Sequence, residues 1–125
     1  MNSLLLVMAG GAVGAGARHL TGRSMVALLG SDWPWGTMTV NLVGGLLMGL
    51  LAGTLARSAQ GGEAWRLLLG VGVLGGFTTF SAFALDTVVM MQRGAMVPAF
   101  GYVLLSVIGS VAALYAGLML TRVAA

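Results

Sequence analysis

Hydroxyl and aromatic side chains interrupt an uncharged apolar stretch, residues 67–85, where a plain membrane anchor would carry leucine, isoleucine and valine. Its central part, residues 72–86, reads G-V-L-G-G-F-T-T-F-S-A-F-A-L-D. Paired glycines followed by hydroxyl residues predict a helix that is broken between Gly75 and Thr79. Lipid tolerates such a break only where protein or a water-filled cavity covers the freed backbone groups. Membrane proteins place ion sites at interruptions of this kind.

Two other apolar stretches carry uncharged polar groups at four-residue spacing, which puts them on one face of a helix. The first stretch has Thr37 and Asn41, and the second has Tyr102, Ser106 and Ser110. Asn41 either bonds neighbouring helices together or faces a pore as a hydrogen-bond donor. The serine hydroxyls either bond back to their own helix or form a polar track.

The chemistry available to these groups is hydrogen bonding without charge. Amide and hydroxyl groups donate, and aromatic ring edges carry partial positive charge because the negative density lies on the ring faces. Such groups suit a small, strongly hydrated anion that exchanges water for donors step by step, although threonine and serine also accept. No span carries an acid at mid-membrane depth, so proton-coupled transport has no evident carrier, and the chain has no cysteine that could act as a nucleophile. No covalent chemistry is expected, and the protein is not expected to be an enzyme.

The composition is that of an integral membrane protein. Of 125 residues, 58% are hydrophobic and 7% are charged, against roughly 25% charged in a soluble domain. A span takes about 20 apolar residues. The chain is therefore expected to form one all-α membrane domain, residues 1–125, with spans at about 2–19, 33–56, 66–91 with a break, and 95–121. The first segment lacks basic residues before Leu4, so we expect it to remain in the mature protein rather than to be a cleaved signal peptide.

The stretch of residues 20–31 is too short and too mixed in polarity to span the membrane, and it is expected to lie at the membrane interface. Trp33 and Trp35 follow it and fit an aromatic belt. Before it, Gly10, Gly14 and Arg18 share one helix face, where the glycines allow close packing and Arg18 can anchor at the headgroups.

The arginines give no clear orientation. They are spread over separate connections instead of clustered, which argues against a nucleic-acid partner. Four spans would put three arginines on each side of the membrane: Arg57, Arg66 and Arg122 on one, and Arg18, Arg23 and Arg93 on the other. Excess positive charge normally marks the cytoplasmic side. Either one decisive charge sets the orientation, or the chain inserts both ways and assembles as an antiparallel pair.

Three motifs together resemble the Fluc family of fluoride channels, also called CrcB proteins. They are G-G-A-V-G-A-G-A-R, G-T-M-T-V-N-L-V-G-G-L-L-M-G and G-G-F-T-T-F-S-A-F, and the likeness extends over all four spans in order. The resemblance implies an antiparallel, dual-topology homodimer in the bacterial inner (plasma) membrane. It also implies passive fluoride export through two separate pores per dimer, with fluoride, lipid and a second copy of the chain as partners.

The resemblance also assigns roles to residues. It implies that the fluoride path is lined by Asn41, Phe80, Phe83, Tyr102, Ser106 and Ser110, with supporting positions at Thr37, Thr79 and Ser81. The backbone carbonyls of Gly75 and Thr78 are implied to hold a structural sodium ion at the dimer centre. Arg18 is implied to draw anions into an aqueous vestibule. The sequence departs from many relatives at Ala82, where they have threonine, and at Asp86, where they often have glutamate.

Two other functions remain alternatives. Small multidrug exporters are also four-span, dual-topology dimers of similar length, but they need a carboxylate in the first span, and residues 1–17 contain none. A membrane subunit without transport activity, whose glycine stripes serve only assembly, is the other alternative.

Overall fold

The computed structural model describes residues 2–58 and 62–123, and within these ranges the chain is helical. The elements are α1 (Ser3–Leu29), α2 (Trp35–Ala56), α3 (Gly62–Trp65), a π-helix (Arg66–Leu74), α4 (Gly75–Phe77), α5 (Ser81–Gln92) and α6 (Met96–Val123). Four segments are long and apolar enough to cross a membrane: Ser3–Leu29, Trp35–Ala56, Gly62–Gln92 and Met96–Val123. The predicted all-α fold with four spans is confirmed.

The first helix is longer than the sequence indicated. α1 begins where Asn2 accepts a hydrogen bond from the backbone N–H of Leu4, and it ends at Gly30, whose φ of 83° suits glycine. The first span was predicted to end near residue 19, but residues 20–29 continue the same helix. At 1.5 Å per residue α1 is about 40 Å long, so it exceeds the roughly 30 Å hydrocarbon layer.

The third span is interrupted, as predicted. It begins with the short α3, continues as a π-helix through Leu74, and leaves helical geometry at residues 78–80 before α5 resumes. Extended π-helix is rare, and its presence here was not predicted. The N–H of Gly75 bonds to the carbonyl of Gly70, five residues earlier. The helix therefore loosens before it breaks.

Glycines bring the helices close together around this span. On α1, a methyl group at Gly14 would collide with the carbonyl of Val73 and lie 2.8 Å from the N atom of Phe77. On α2, a methyl group at Gly45 would lie 2.8 Å from the carbonyl oxygen of Ser110 on α6. Small residues let membrane helices approach in this way. The third span is thereby held against α1, and α2 against α6.

The outer surface is apolar. Large hydrophobic side chains stay exposed along all four spans, among them Leu28, Leu85 and Val97. The buried cluster is small and consists of Met38, Phe83, Met90, Ala99 and Tyr102. Apolar faces of this extent belong in lipid or against other membrane helices. The chain is therefore a multi-pass membrane protein.

Candidate functional site

The break in the third span is held by the side chain of Asn41. Its Nδ2 donates to the carbonyl of Thr79, and its Oδ1 accepts from the N–H of Thr79, each over 2.8 Å. The amide thus replaces the helical hydrogen-bond partners that the N–H and the carbonyl of Thr79 have lost. Nδ2 carries a second N–H, which is left for another acceptor.

Other polar groups at the break also have substitute partners. Nε of Arg18 donates to the carbonyl of Gly76 over 3.0 Å, and the N–H of Ala82 donates to Oγ1 of Thr79 over 3.1 Å. An unbroken helix would instead direct the N–H groups of Thr79 and Ala82 to the carbonyls of Gly75 and Thr78. Because those N–H groups are engaged elsewhere, the carbonyls of Gly75 and Thr78 have lost their helical donors.

A groove of about 480 Å³ runs beside the break. We call it the groove. It is lined by Asn41, Gly44, Gly45, Met48, Gly75, Thr78, Thr79, Phe80, Phe83, Ser106, Val107, Ser110, Val111 and Leu114. None of these lining side chains is ionisable. The groove therefore combines an amide, hydroxyl groups and aromatic rings in an environment without fixed charge.

The two phenylalanines of the groove differ in exposure. Phe83 is 8% exposed, whereas Phe80, which immediately precedes α5, is 78% exposed. Their ring centroids lie 5.6 Å apart at an interplanar angle of 51°. One ring is therefore fixed in the protein interior, while the other stands at the open side of the groove.

Ser106 contributes a hydroxyl that the described residues leave unpaired. The residue is 5% exposed, and its Oγ has no hydrogen-bond partner within residues 2–58 and 62–123. Buried hydroxyl groups are rarely left in this state, and the cost is of the order of 1–3 kcal/mol. A bound ion or water in the groove would remove that cost.

A larger opening of about 930 Å³ also borders the break. We call it the cleft, and it is walled by the second half of α1, the connection to α2, the start of α2, and α5. Its charged and titratable lining residues are Arg18, His19, Arg23, Asp32, Asp86 and Arg93. The three arginines that the sequence put on one side of the membrane thus line a single opening. Thr79 lines both the cleft and the groove.

The structure brings most of the expected site residues together, but not all. Asn41, Thr79, Phe80, Phe83, Ser106 and Ser110 line the groove, as do Gly75 and Thr78. Arg18 and Thr37 line the cleft instead. Ser81 is exposed, with its Oγ 3.4 Å from Oγ1 of Thr79. Tyr102 is fully buried and does not line the groove.

Tyr102 has a partner that the sequence did not indicate. Its hydroxyl donates to Oδ2 of Asp86 over 3.1 Å, and its ring packs 5.2 Å from that of Phe83. Gly44 was also missed: it packs against the methyl group of Thr78, while its neighbour Gly45 packs against α6. The G-G pair at these positions was the available signal, because adjacent glycines serve two faces of one helix.

Four membrane spans and an uncharged polar groove at a helix break define the class: a membrane protein built to bind or conduct an ion. The model of the family described as CrcB-like protein, Camphor Resistance (CrcB), matches residues 5–118. The chain belongs to this family, and the resemblance noted in the sequence is confirmed.

Relatives named "Fluoride-specific ion channel FluC" match over nearly their whole length. The one from Sphingopyxis alaskensis is 57% identical over 122 residues, which cover 98% of this chain and 97% of the relative. The one from Phenylobacterium zucineum is 58% identical over 123 residues, with 98% and 97% covered. The one from Caulobacter vibrioides is 56% identical over 123 residues, also with 98% and 97% covered.

Proposed function

We propose that this protein is a fluoride channel of the bacterial inner membrane, through which the anion leaves the cell passively. The relatives that match almost the entire chain carry this function in their names. The observation that carries the proposal is the groove, where neutral hydrogen-bond donors and ring edges converge without an ionisable side chain among the lining residues. A proton-coupled exporter or a cation channel would need a carboxylate or a ring of carbonyls at this place.

Fluoride would exchange its water for donors in steps along the groove. The second N–H of the Asn41 amide and the unpaired hydroxyl of Ser106 are the donors that the described contacts leave available. The edges of Phe80 and Phe83 add partial positive charge. Because none of these groups is charged, binding stays weak enough for the ion to leave again, as conduction requires.

The groove also supports a two-chain assembly. Its open side exposes the Phe80 ring, which an adjoining protein surface would cover. We propose that a second copy, inserted in the opposite direction, closes the groove, so that one homodimer contains two pores. The three-against-three distribution of arginines agrees with insertion in both directions.

The carbonyls at the break fit the proposed structural sodium ion. Those of Gly75 and Thr78 have lost their helical donors and both residues line the groove. Carbonyl oxygens at unwound membrane helices are typical sodium ligands. A bound sodium ion would give these carbonyl oxygens the positively charged partner that replaces their lost N–H donors. No group of three or more His, Asp or Glu side chains that could hold a metal occurs in the part of the chain that the structure describes.

Fluoride efflux from liposomes that contain the purified protein tests the channel function. We expect rapid fluoride efflux, far slower chloride efflux and no drug-driven transport, which the multidrug alternative would require. Phe83→Leu should lower fluoride efflux at least tenfold, because it removes a ring edge from the groove. Phe100→Leu, on the exposed surface of α6, is the matched control and should conduct normally. Wild-type liposomes without fluoride flux would refute the channel and favour a subunit without transport activity.

Orientation can be tested separately, because the chain contains no cysteine. Ser31→Cys and Ser58→Cys introduce single thiols in the first and second connections. In cells, dual insertion predicts that an impermeant thiol reagent labels about half of each variant from the outside. Labelling of only one variant would show a single orientation and exclude the antiparallel dimer.

A further inference from the structure

Thr79 joins the two openings of the protein. It lines both the cleft and the groove, and no other residue within 2–58 and 62–123 lines both. The cleft carries charged side chains, whereas none of the side chains that line the groove is ionisable. Thr79 therefore lies at the boundary between a charged and an uncharged environment, and each opening gives access to it.

The position of Thr79 is fixed by contacts to its backbone and to its side chain. Asn41 holds its N–H and its carbonyl, each over 2.8 Å. Its Oγ1 accepts a hydrogen bond from the N–H of Ala82 over 3.1 Å. A donor that is held in place in this way needs no reorganisation when an ion arrives.

The hydroxyl hydrogen of Thr79, in contrast, has no close acceptor among the described residues. Threonine hydroxyls commonly donate to a carbonyl of their own helix, and those of Thr78 and Thr87 do so over 2.9 Å. Thr79 lies in the break, and its Oγ1 is instead 3.4 Å from Oγ of Ser81. That distance exceeds the roughly 2.5–3.0 Å of an ordinary O–H···O hydrogen bond. The hydrogen is therefore available to a ligand.

We propose that the Thr79 hydroxyl donates a hydrogen bond to fluoride as the ion passes between the cleft and the groove, so that Thr79 is a direct binding residue at the junction of the two openings. The inference rests on the proposed channel function. The bond that Oγ1 accepts from Ala82 polarises the O–H group and strengthens its donation, which suits an anion. The ion thereby gains a neutral donor at the point where it leaves the charged side chains of the cleft.

Thr79→Val and Thr79→Ser form a matched pair of variants. Valine keeps the branched shape without a hydroxyl, whereas serine keeps the hydroxyl without the methyl group. In liposomes that each hold at most one channel, the rate of fluoride efflux measures conduction, and the fraction of liposomes that release fluoride measures the number of working channels. We expect Thr79→Val to lower the rate about threefold to tenfold, the effect of one lost neutral hydrogen bond, and Thr79→Ser to stay within about twofold of the wild type.

Thr87→Val is the control, because it removes a hydroxyl that is bonded within its own helix and lies outside both openings. It should conduct at the wild-type rate. Thr79→Val also leaves the Ala82 N–H without its acceptor. If this contact were the only role of the hydroxyl, the fraction of active liposomes would fall at an unchanged rate, and this result would overturn the proposal. Equal losses of rate in Thr79→Val and Thr79→Ser would overturn it as well. Wild-type liposomes without fluoride flux would overturn the channel function itself, and the role of Thr79 with it.

Discussion

Asn41 and Thr79 lie 38 residues apart in the chain, and the amide of the one pairs with both backbone groups of the other. This contact makes α2 part of the break in the third span. One N–H and the amide oxygen of Asn41 hold the backbone of Thr79, and the second N–H is left for an ion. A change at Asn41 will therefore affect the stability of the fold as well as conduction.

Asn41→Ala should lower the free energy of unfolding by about 1–3 kcal/mol, because it leaves both backbone groups of Thr79 without their side-chain partner. Denaturation in detergent, followed by circular dichroism, measures this loss. Thr54→Ala, at an exposed position of α2, is the control and should change stability by no more than about 0.5 kcal/mol. Equal stability of Asn41→Ala and the wild type would show that the Asn41 side chain does not stabilise the break in the third span.

The sequence contained enough information for the spans and for the break. The uncharged runs predicted the four membrane spans, and G-G-F-T-T predicted a break between Gly75 and Thr79, where the structure leaves helical geometry at residues 78–80. It did not indicate the π-helix Arg66–Leu74. A π-helix differs from an α-helix in that each backbone hydrogen bond spans one more residue, and an apolar run has the same composition in both. The end of α1 was also missed, since residues 20–29 are mixed in polarity but contain no proline to stop a helix.

For the site, helical spacing was a partial guide. Ser106 and Ser110 reach the groove as their shared stripe predicted, whereas Tyr102, one turn earlier on that stripe, is buried against Asp86 and Phe83. A long side chain extends beyond the face defined by its Cα atom and takes the partner that it reaches. The hydrogen bond from Arg18 to Gly76 could not be predicted from the sequence either, because it depends on how α1 packs against the third span.

Ser106→Ala should separate function from stability. The hydroxyl has no partner within the described residues, so its removal deletes no protein hydrogen bond, and the free energy of unfolding should stay equal or rise slightly. Fluoride efflux should nevertheless fall about threefold to tenfold, because a donor for the ion is lost. Liposome flux and detergent denaturation of the same preparation measure the two effects. Thr87→Ala, outside the groove, is the flux control. Normal flux through Ser106→Ala would remove this serine from the path.

Two glycines of α1 allow a matched test of helix packing. Gly14→Ala adds a methyl group against the backbone of Val73 and Phe77, and such overpacking should cost about 1–3 kcal/mol. Gly16→Ala adds the same group where no atom lies within 4 Å. It should be neutral or stabilising by up to about 1 kcal/mol, because alanine favours helix. Detergent denaturation compares the two variants directly. Similar losses for both would show that α1 and the third span do not pack this closely.

Arg18 has two separable roles, one through its geometry and one through its charge. Its Nε holds the Gly76 carbonyl at the break, and its guanidinium lies in the cleft with Arg23 and Arg93. Arg18→Lys keeps the charge but lacks the planar donor group. We therefore expect nearly normal fluoride flux at low salt, together with a loss of about 1.5–3 kcal/mol in the free energy of unfolding, the range of a hydrogen bond from a charged donor.

Arg18→Gln removes the charge and should lower fluoride flux most strongly at low ionic strength. The difference from the wild type should shrink as salt rises, because the screening length falls from about 30 Å at 0.01 M to about 8 Å at 0.15 M. Arg122→Gln, an exposed arginine in the last turn of α6, controls for net charge and should leave the salt dependence unchanged. Flux measured through Arg18→Lys and Arg18→Gln over a salt series, with denaturation of each, separates the two roles. If both variants lose flux equally at every salt concentration, attraction of anions by the Arg18 charge is excluded, and its bond to Gly76 alone accounts for the effect.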